Sequence, residues 1–335
     1  MKKLSAICIT LALVIVSLVV FVACGGGESW IVSPDKDVYT VGICQLVQHE
    51  ALDLATKGFK DALQKIAAEK GKKVVFDEQN ASGETTNCTT IINGFVSKKV
   101  DLIMANATSP LQTAYNATQK IPVLGTSVTD YATALGLTDF DGTTGTNVSG
   151  TTDLAPLDKQ AEMIHVLCPS AKKVAILYCS AESNSKYQAD VVGDKLKEWN
   201  VEAKSYPFSD SNDIAAAANK AVSECDVLYV PTDNTVASSG SIVSTIAEQA
   251  GKPVFCGEES TCKKVGGMAT LTISYYNIGR ITGEMAAKVL FESADVSKMQ
   301  VQSDINPVYK YNEELATRYN ITVPDNYVKM TADSN

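Results

Sequence analysis

Arginine is almost missing from this chain of 335 residues: Arg280 and Arg318 are the only two among 29 Lys and Arg, against 38 Asp and Glu. A formal charge of −9 argues against a nucleic-acid groove, because phosphate binding needs clustered basic side chains to release counterions. Neither arginine follows an expected strand, so bidentate capture of a phosphate or carboxylate has no obvious agent. Histidine is equally scarce, with His49 and His165 alone, and tryptophan is limited to Trp30 and Trp199. No GxGxxG, GxxxxGK[ST] or GxSxG stands at a strand-to-helix turn, which removes the usual signals for nucleotide binding and for a hydrolase elbow. Ten prolines and 21 glycines in a chain that is 45% hydrophobic exclude collagen-like, disordered and small disulfide-scaffold classes. At roughly 150 residues per domain, the length allows about two domains, each with a real core.

Cysteine is present but unevenly useful. Setting aside Cys8 and Cys24 near the start leaves seven, at 44, 88, 168, 179, 225, 256 and 262, and an odd number cannot pair completely. Cys44, Cys179, Cys225 and Cys256 sit in or beside apolar strand-like runs, where Cys behaves as a small buried hydrophobe. Cys256 and Cys262 are close enough in sequence to pair or bind a metal, yet no His or second Cys pair stands near them. No metal and no cofactor is expected.

The chain begins Met1-Lys2-Lys3, is apolar from Leu11 to Val22, and reaches Phe21-Val22-Ala23-Cys24 followed by three glycines. A basic start, a short apolar stretch and a small residue before the cut describe a secretory signal rather than a membrane span. The tetrapeptide resembles a bacterial lipobox, so residues 1–23 read as a lipoprotein signal peptide and Cys24 as the lipidated first residue. An ordinary signal peptide with an incidental Cys is the alternative. Residues 24–37 read as a flexible tether. The expectation is an exported protein held to the cell membrane by a lipid anchor and facing away from the cytoplasm.

From Val38 onward strands and helices alternate. Strands are predicted at Val38–Cys44, Lys73–Asp77, Leu102–Met104 and Val123–Leu124, with helices at 51–69, 84–96 and 110–118 between them. Leu52, Ala55, Phe59, Ala62, Leu63 and Ile66 recur at three and four residues and make one apolar stripe. A polar stretch at 138–152 breaks the pattern, and a second series follows: helix 154–167, strand 173–178, helix 183–199, strand 201–206, helix 212–223, strand 227–230, helix 235–250, strand 253–256. A strand near 267–273 and a helix at 277–291 close it, and that late helix is predicted to return to the first series. Such alternation specifies α/β architecture with parallel sheets covered on both faces. Two Rossmann-like lobes joined by a multi-crossover hinge are expected, the N-terminal one from 38–149 plus about 274–300, the C-terminal one from 150–273 plus about 301–330.

Open parallel sheets bind ligands beyond the carboxyl ends of their strands, so the residues just after each strand are the candidates. These are His49, then Thr108 and Ser109, then Ser127 and Thr129, from the first lobe. The second offers Ser183, Asn184 and Ser185, then Thr232, Asp233 and Asn234, then Glu258. Hydroxyls beside a helix start attract a carboxylate, while Asp233 or Glu258 can balance an ammonium, so together the groups suit an amino-acid zwitterion. Thr108, Ser109, Ser183 and Asp233 read equally as helix N-caps. His49 at the cleft mouth reads as a ligand contact, a structural hydrogen bonder or a general base. His165 reads as a terminal helix residue.

Across nearly the whole mature chain the sequence resembles the substrate-binding lipoproteins of bacterial ABC importers, in the branch that takes tryptophan, tyrosine or other aromatic amino acids. The resemblance is carried by Gln48-His49-Glu50-Ala51-Leu52-Asp53 with Gly58-Phe59, by Asn80-Ala81-Ser82-Gly83 and Ala107-Thr108-Ser109-Pro110-Leu111-Gln112, and by Ser127-Val128-Thr129-Asp130 and Pro231-Thr232-Asp233-Asn234. It implies a type I periplasmic-binding-protein fold whose lobes close on one small molecule, a monomer that docks on the permease subunits of the membrane, and no catalysis. Under it Thr108, Ser109, Ser127 and Thr129 hold the head group from the first lobe, and Asn184, Ser185, Thr232 and Asp233 from the second, with Asp233 on the ammonium. A sugar or nucleoside binder of the same fold, or a ligand-sensing module for a receptor, is the alternative.

Overall fold

A computed structural model describes residues 31–331. The signal segment 1–23, the lipidation site Cys24 and residues 24–30 of the tether lie outside the described residues.

The first half of the chain runs β1 (Val38–Gln45), α1 (Glu50–Glu69), β2 (Lys73–Asn80), α2 (Thr85–Lys98), β3 (Leu102–Asn106), α3 (Thr108–Ala117), β4 (Val123–Val128), α4 (Tyr131–Leu135) and β5 (Val148–Thr152). The second half runs α5 (Leu157–Leu167), β6 (Lys173–Cys179), α6 (Ser183–Lys197), β7 (Glu202–Phe208), α7 (Ile214–Glu224), β8 (Val227–Val230), α8 (Asn234–Ser239), α9 (Ser241–Ala250), β9 (Val254–Cys256), α10 (Glu259–Lys264) and β10 (Ala269–Thr272). Then come α11 (Tyr275–Phe291), β11 (Gln302–Ser303), β12 (Val308–Tyr311), α12 (Glu313–Arg318) and β13 (Val328–Lys329). One sheet has the order β11-β5-β4-β3-β1-β2 and is parallel throughout; the other has the order β13-β12-β10-β9-β8-β6-β7 and is parallel except where β12 meets β10. The expected α/β class with two parallel-dominated sheets is the one observed.

The central strands of each sheet are buried on both faces, their side chains alternating between the two. Along β1, Val41 and Ile43 join Phe59, Leu63, Met285 and Leu290 under α1 and α11, whereas Cys44 joins Ile92, Phe95 and Leu111 under α2 and α3. Along β6, Val174 and Ile176 face the α5 and α6 side while Ala175 and Leu177 face α7 and α9. The chain passes between sheets at 153–156, at 273–274 and at 304–307, and α11 lies along α1.

Two expectations need correction. The stretch 138–152 was expected to be a polar break, but its end is β5. Its sequence Val-Ser-Gly-Thr-Thr is polar and still buried, because Ser149 Oγ donates to the Met299 carbonyl (2.9 Å) and Thr151 Oγ1 shares a hydrogen bond with Thr282 Oγ1 (2.8 Å). Satisfied hydroxyls lose little on burial. The helix expected over 235–250 is two helices meeting at Gly240, the weakest helix former in that run.

Candidate functional site

The carboxyl ends of the two sheets converge on one small cavity of about 10 Å³. From the first sheet's side it is lined by His49, Leu52, Ser127 and Asp153, from the second by Asn184, Thr232, Asp233, Asn234, Ala237, Glu258 and Thr261, and from the junction by Tyr275. Its charged walls are acidic: Asp153, Asp233 and Glu258, with no Lys or Arg. Among the described residues no group of His, Cys, Asp and Glu is arranged to hold a metal.

Glu182, buried at the start of α6, organises the second-sheet side. It accepts from the Asn234 backbone N–H (3.0 Å) and Nδ2 (2.6 Å), and from the Thr235 N–H (2.9 Å) and Oγ1 (2.8 Å). Asn234 in turn meets His49 Nε2 through its Oδ1 at 3.1 Å, a hydrogen bond across the gap between the sheets. Asp233 caps α8: its Oδ1 accepts from Val236 N–H (2.9 Å) and its Oδ2 from Cys179 N–H (2.6 Å). Burial, with the neighbouring Glu182 carboxylate, pushes the Asp233 carboxyl up. Glu258 caps α10, accepting from the N–H groups of Ser260 and Thr261 and from Ser260 Oγ. Asn184 and Ser185 both donate to the Thr232 carbonyl, at 3.0 and 3.3 Å.

Asp153, immediately after β5, is held differently. Thr129 Oγ1 donates to its Oδ1 (3.0 Å) and Tyr275 Oη to its Oδ2 (2.7 Å), and no cation is recorded beside it. Burial pushes its carboxyl above the usual range, more than those two hydroxyls pull it down. Three buried polar atoms of cavity-lining residues have no partner in the protein: His49 Nδ1, Ser127 Oγ and Thr261 Oγ1. Buried polar atoms without a protein partner are uncommon, and three of them gather at this cavity. Backbone strain gathers beside them, with Ser127 at φ +55° and Ala107 at φ +106°, conformations that cost of order 1–3 kcal/mol each in a non-glycine residue. Ala107 precedes α3, whose first turn has no side-chain cap, so its N–H donors remain available.

Of the residues expected from sequence, His49, Ser127, Asn184, Thr232, Asp233, Asn234 and Glu258 meet at the cavity. Thr108, Thr129, Ser183 and Ser185 do not line it; Thr129 and Ser185 stand one layer back, bonding Asp153 and the Thr232 carbonyl. Ser109 lines an outer groove of about 490 Å³ between the sheets, with Leu46, Val47, Glu182 and Thr235. Of the four residues that read equally as caps, Asp233 alone is one. His165 stacks on Trp199 with ring centroids 5.1 Å apart, away from the site. Asp153, Tyr275, Thr261 and Glu182 were missed. The signal for Asp153 was its place after a strand, once β5 is recognised as one.

The family described as ABC transporter substrate binding protein matches residues 40–334. A tyrosine-binding protein from Clostridioides difficile (strain R20291) is 41% identical over 255 residues, which span 76% of this chain and 73% of that protein. Among solved structures, the ABC domain from Streptococcus pneumonia in complex with L-Trp superposes with a TM-score of 0.80 at 30% identity, covering 86% of this chain and 96% of the other. The ligand-free, open structure of a Clostridium difficile substrate binding protein with adhesive properties superposes with a TM-score of 0.66 at 37% identity, covering 88% and 100%.

Proposed function

The chain belongs to the ABC transporter substrate-binding proteins, and from that premise we propose that it captures an aromatic α-amino acid between its two sheets and delivers it to a membrane permease. Its fold is that of the type I periplasmic binding proteins, a solute-binding rather than an enzymatic family, and proteins of this kind work outside the cytoplasm.

The observation that carries the reading is Asp153: a buried carboxylate with two hydroxyl donors and no recorded cation, in a cavity whose other lining includes unpaired hydroxyls. A charge in that setting asks for a cation, and the ligand's ammonium supplies it. Asp233, the residue expected for that role, already gives both oxygens to backbone donors. The unpaired Ser127 hydroxyl and the uncapped first turn of α3, opened by Thr108 and Ser109, suit the carboxylate. The aromatic class is supported by the relative named for tyrosine and the neighbour holding L-Trp.

A cavity of about 10 Å³ is far below the roughly 300–1,000 Å³ of ligand pockets, so the sheets must part to admit such a molecule. The cross-gap His49–Asn234 hydrogen bond belongs to the closed arrangement. The closer superposition on the complex than on the open structure, despite lower identity to the complex, supports the same assignment. Hinge closure then excludes water and strengthens the charged contacts, and the ligand leaves chemically unchanged.

Calorimetry with L-Tyr, L-Trp and L-Phe, each beside its N-acetyl derivative, tests this. Acetylation removes the ammonium and leaves Asp153 buried and unpaired, a loss of about 3–5 kcal/mol, so affinity is expected to fall at least ~100-fold. Equal binding of free and acetylated forms, or no heat with any of the three, overturns the reading.

We also propose that Cys24 carries a lipid that tethers the protein, with the motif at residues 21–24 as support. Cells fed a labelled fatty acid should incorporate it into the full chain but not into Cys24→Ser, which should be released from the membrane fraction. Label retained by Cys24→Ser would overturn it.

A further inference from the structure

The hydrogen bonds behind His49 fix which of its nitrogens carries the proton. Glu182 Oε2 can only accept, so the Asn234 group 2.6 Å from it is the amide Nδ2, and Asn234 therefore turns Oδ1 toward His49. An oxygen that only accepts requires N–H on His49 Nε2, and in a neutral imidazole the other nitrogen is then a bare acceptor. That nitrogen, Nδ1, is buried without a partner on a residue that lines the cavity.

We infer that the relay Glu182–Asn234–His49 holds Nδ1 as a fixed acceptor for the ligand's ammonium, and that protonation of His49 turns capture off. The inference rests on the amino-acid reading above and adds to it a positioning chain and a pH gate. Protonation would set an N–H and a positive charge against the ammonium where an acceptor stood.

The charged and titratable groups around His49 act in both directions. Asp153, Asp233, Glu258 and Tyr275 share the cavity, Glu182 lies behind Asn234, and Glu50 and Asp53 follow on its own helix. A charged His49 would be attracted by these carboxylates and repelled by the N-terminus of α1, which it precedes without a side-chain cap bond. The ammonium, arriving beside Asp153, opposes it further. A protein whose protonated form does not bind loses apparent affinity in proportion to the fraction of it left neutral, so capture should weaken as the pH falls.

Two measurements test this. Long-range ¹⁵N–¹H correlation on the full mature protein saturated with L-Tyr at pH 7.5, the closed form in which Asn234 meets His49, should show His49 protonated at Nε2 and Nδ1 at a hydrogen-bonded shift, moved from its position in the free protein; His165, the only other histidine, is assigned with a His165→Gln variant. A proton on Nδ1 overturns the inference. An unmoved Nδ1 in the presence of clear binding heat also overturns it, while leaving the amino-acid reading standing; no heat with any aromatic amino acid removes both. Calorimetry should show wild type at least several-fold weaker at pH 5.5 than at pH 7.5, and His49→Gln weaker than wild type at pH 7.5 but flat between the two. If His49→Gln falls as steeply as wild type, the titrating group is another one, Asp153 first among them, and the gate is not His49.

Discussion

Asp153→Asn should leave the free protein at least as stable as wild type while removing at least 100-fold in affinity for its amino acid. The two halves of that expectation come from the same burial. In the closed arrangement without ligand the carboxylate is only 7% exposed and its side-chain partners are the Thr129 and Tyr275 hydroxyls, so its ionisation is uphill and its carboxyl is raised. Asn has the same shape, and because the Thr129 and Tyr275 hydroxyls can rotate, its amide can bond both. Neutralising a poorly compensated buried charge is often neutral or stabilising, here by about 1 kcal/mol near pH 7. The sign with pH follows. A carboxyl raised on folding contributes stability that is present below its unfolded value of 3.8 and is lost as pH rises through the folded value. The variant's advantage should therefore grow from pH 4 toward neutrality and vanish at the acid end, which urea titrations at several pH values will read. With ligand the order reverses, because the ammonium loses its counter-charge, a deficit of about 3–5 kcal/mol. The thermal shift that L-Tyr gives wild type should disappear in Asp153→Asn. A variant that keeps its affinity within threefold would place the ammonium elsewhere.

The alternation of strands and helices was legible because parallel strands are buried on both faces and read as apolar runs: Val41 to Cys44, Leu102 to Met104 and Val174 to Tyr178 leave little choice. The loops that follow them could be named for the same reason, and His49, Ser127, Asn184 and Asn234 stand where that rule puts them. What stayed hidden was polar and buried. In β5 the hydroxyls of Ser149 and Thr151 are satisfied by groups more than a hundred residues away, so nothing local distinguishes the strand from a loop, and with β5 unseen Asp153 could not be placed after a strand. Tyr275 was missed for a topological reason. It opens a helix that returns to the first sheet's face, and no periodicity reveals that the first residue of such a helix reaches a carboxylate 122 residues earlier. Asp233 shows the converse: its spacing from Val236 fits a cap and a ligand group equally, and its bonds to Val236 and Cys179 show that it caps.

The closeness of α11 to α1 gives the largest expected loss of stability from a single methyl group. Gly58 on α1 and Gly279 and Gly283 on α11 let the two backbones meet: a Cβ at Gly279 would be driven into the Ala55 carbonyl oxygen, one at Gly58 into that of Tyr276, and one at Gly283 would stand 2.5 Å from that of Phe59. Backbone cannot rotate aside as a side chain can, so Gly279→Ala must push the helices apart along a contact that also buries Ala55, Phe59, Ile278 and Met285. Overpacking of this kind costs about 1–3 kcal/mol and occasionally more, and a clash with backbone belongs at or above the upper end, about 3 kcal/mol. On helix α2, half-buried Gly94 has nothing within 4 Å of the same built atom and no positive φ. Gly94→Ala therefore meets no obstacle and should stabilise by about 0.5–1 kcal/mol, the ordinary gain of Ala over Gly within a helix. The opposite signs are the test: urea midpoints that move the same way in both variants would mean that the helix contact yields, and that the closeness of α1 to α11 is not what these glycines secure. Because Tyr275 begins α11 and bonds Asp153, a helix pushed outward by Gly279→Ala should also weaken amino-acid binding, whereas Gly94→Ala should leave it unchanged.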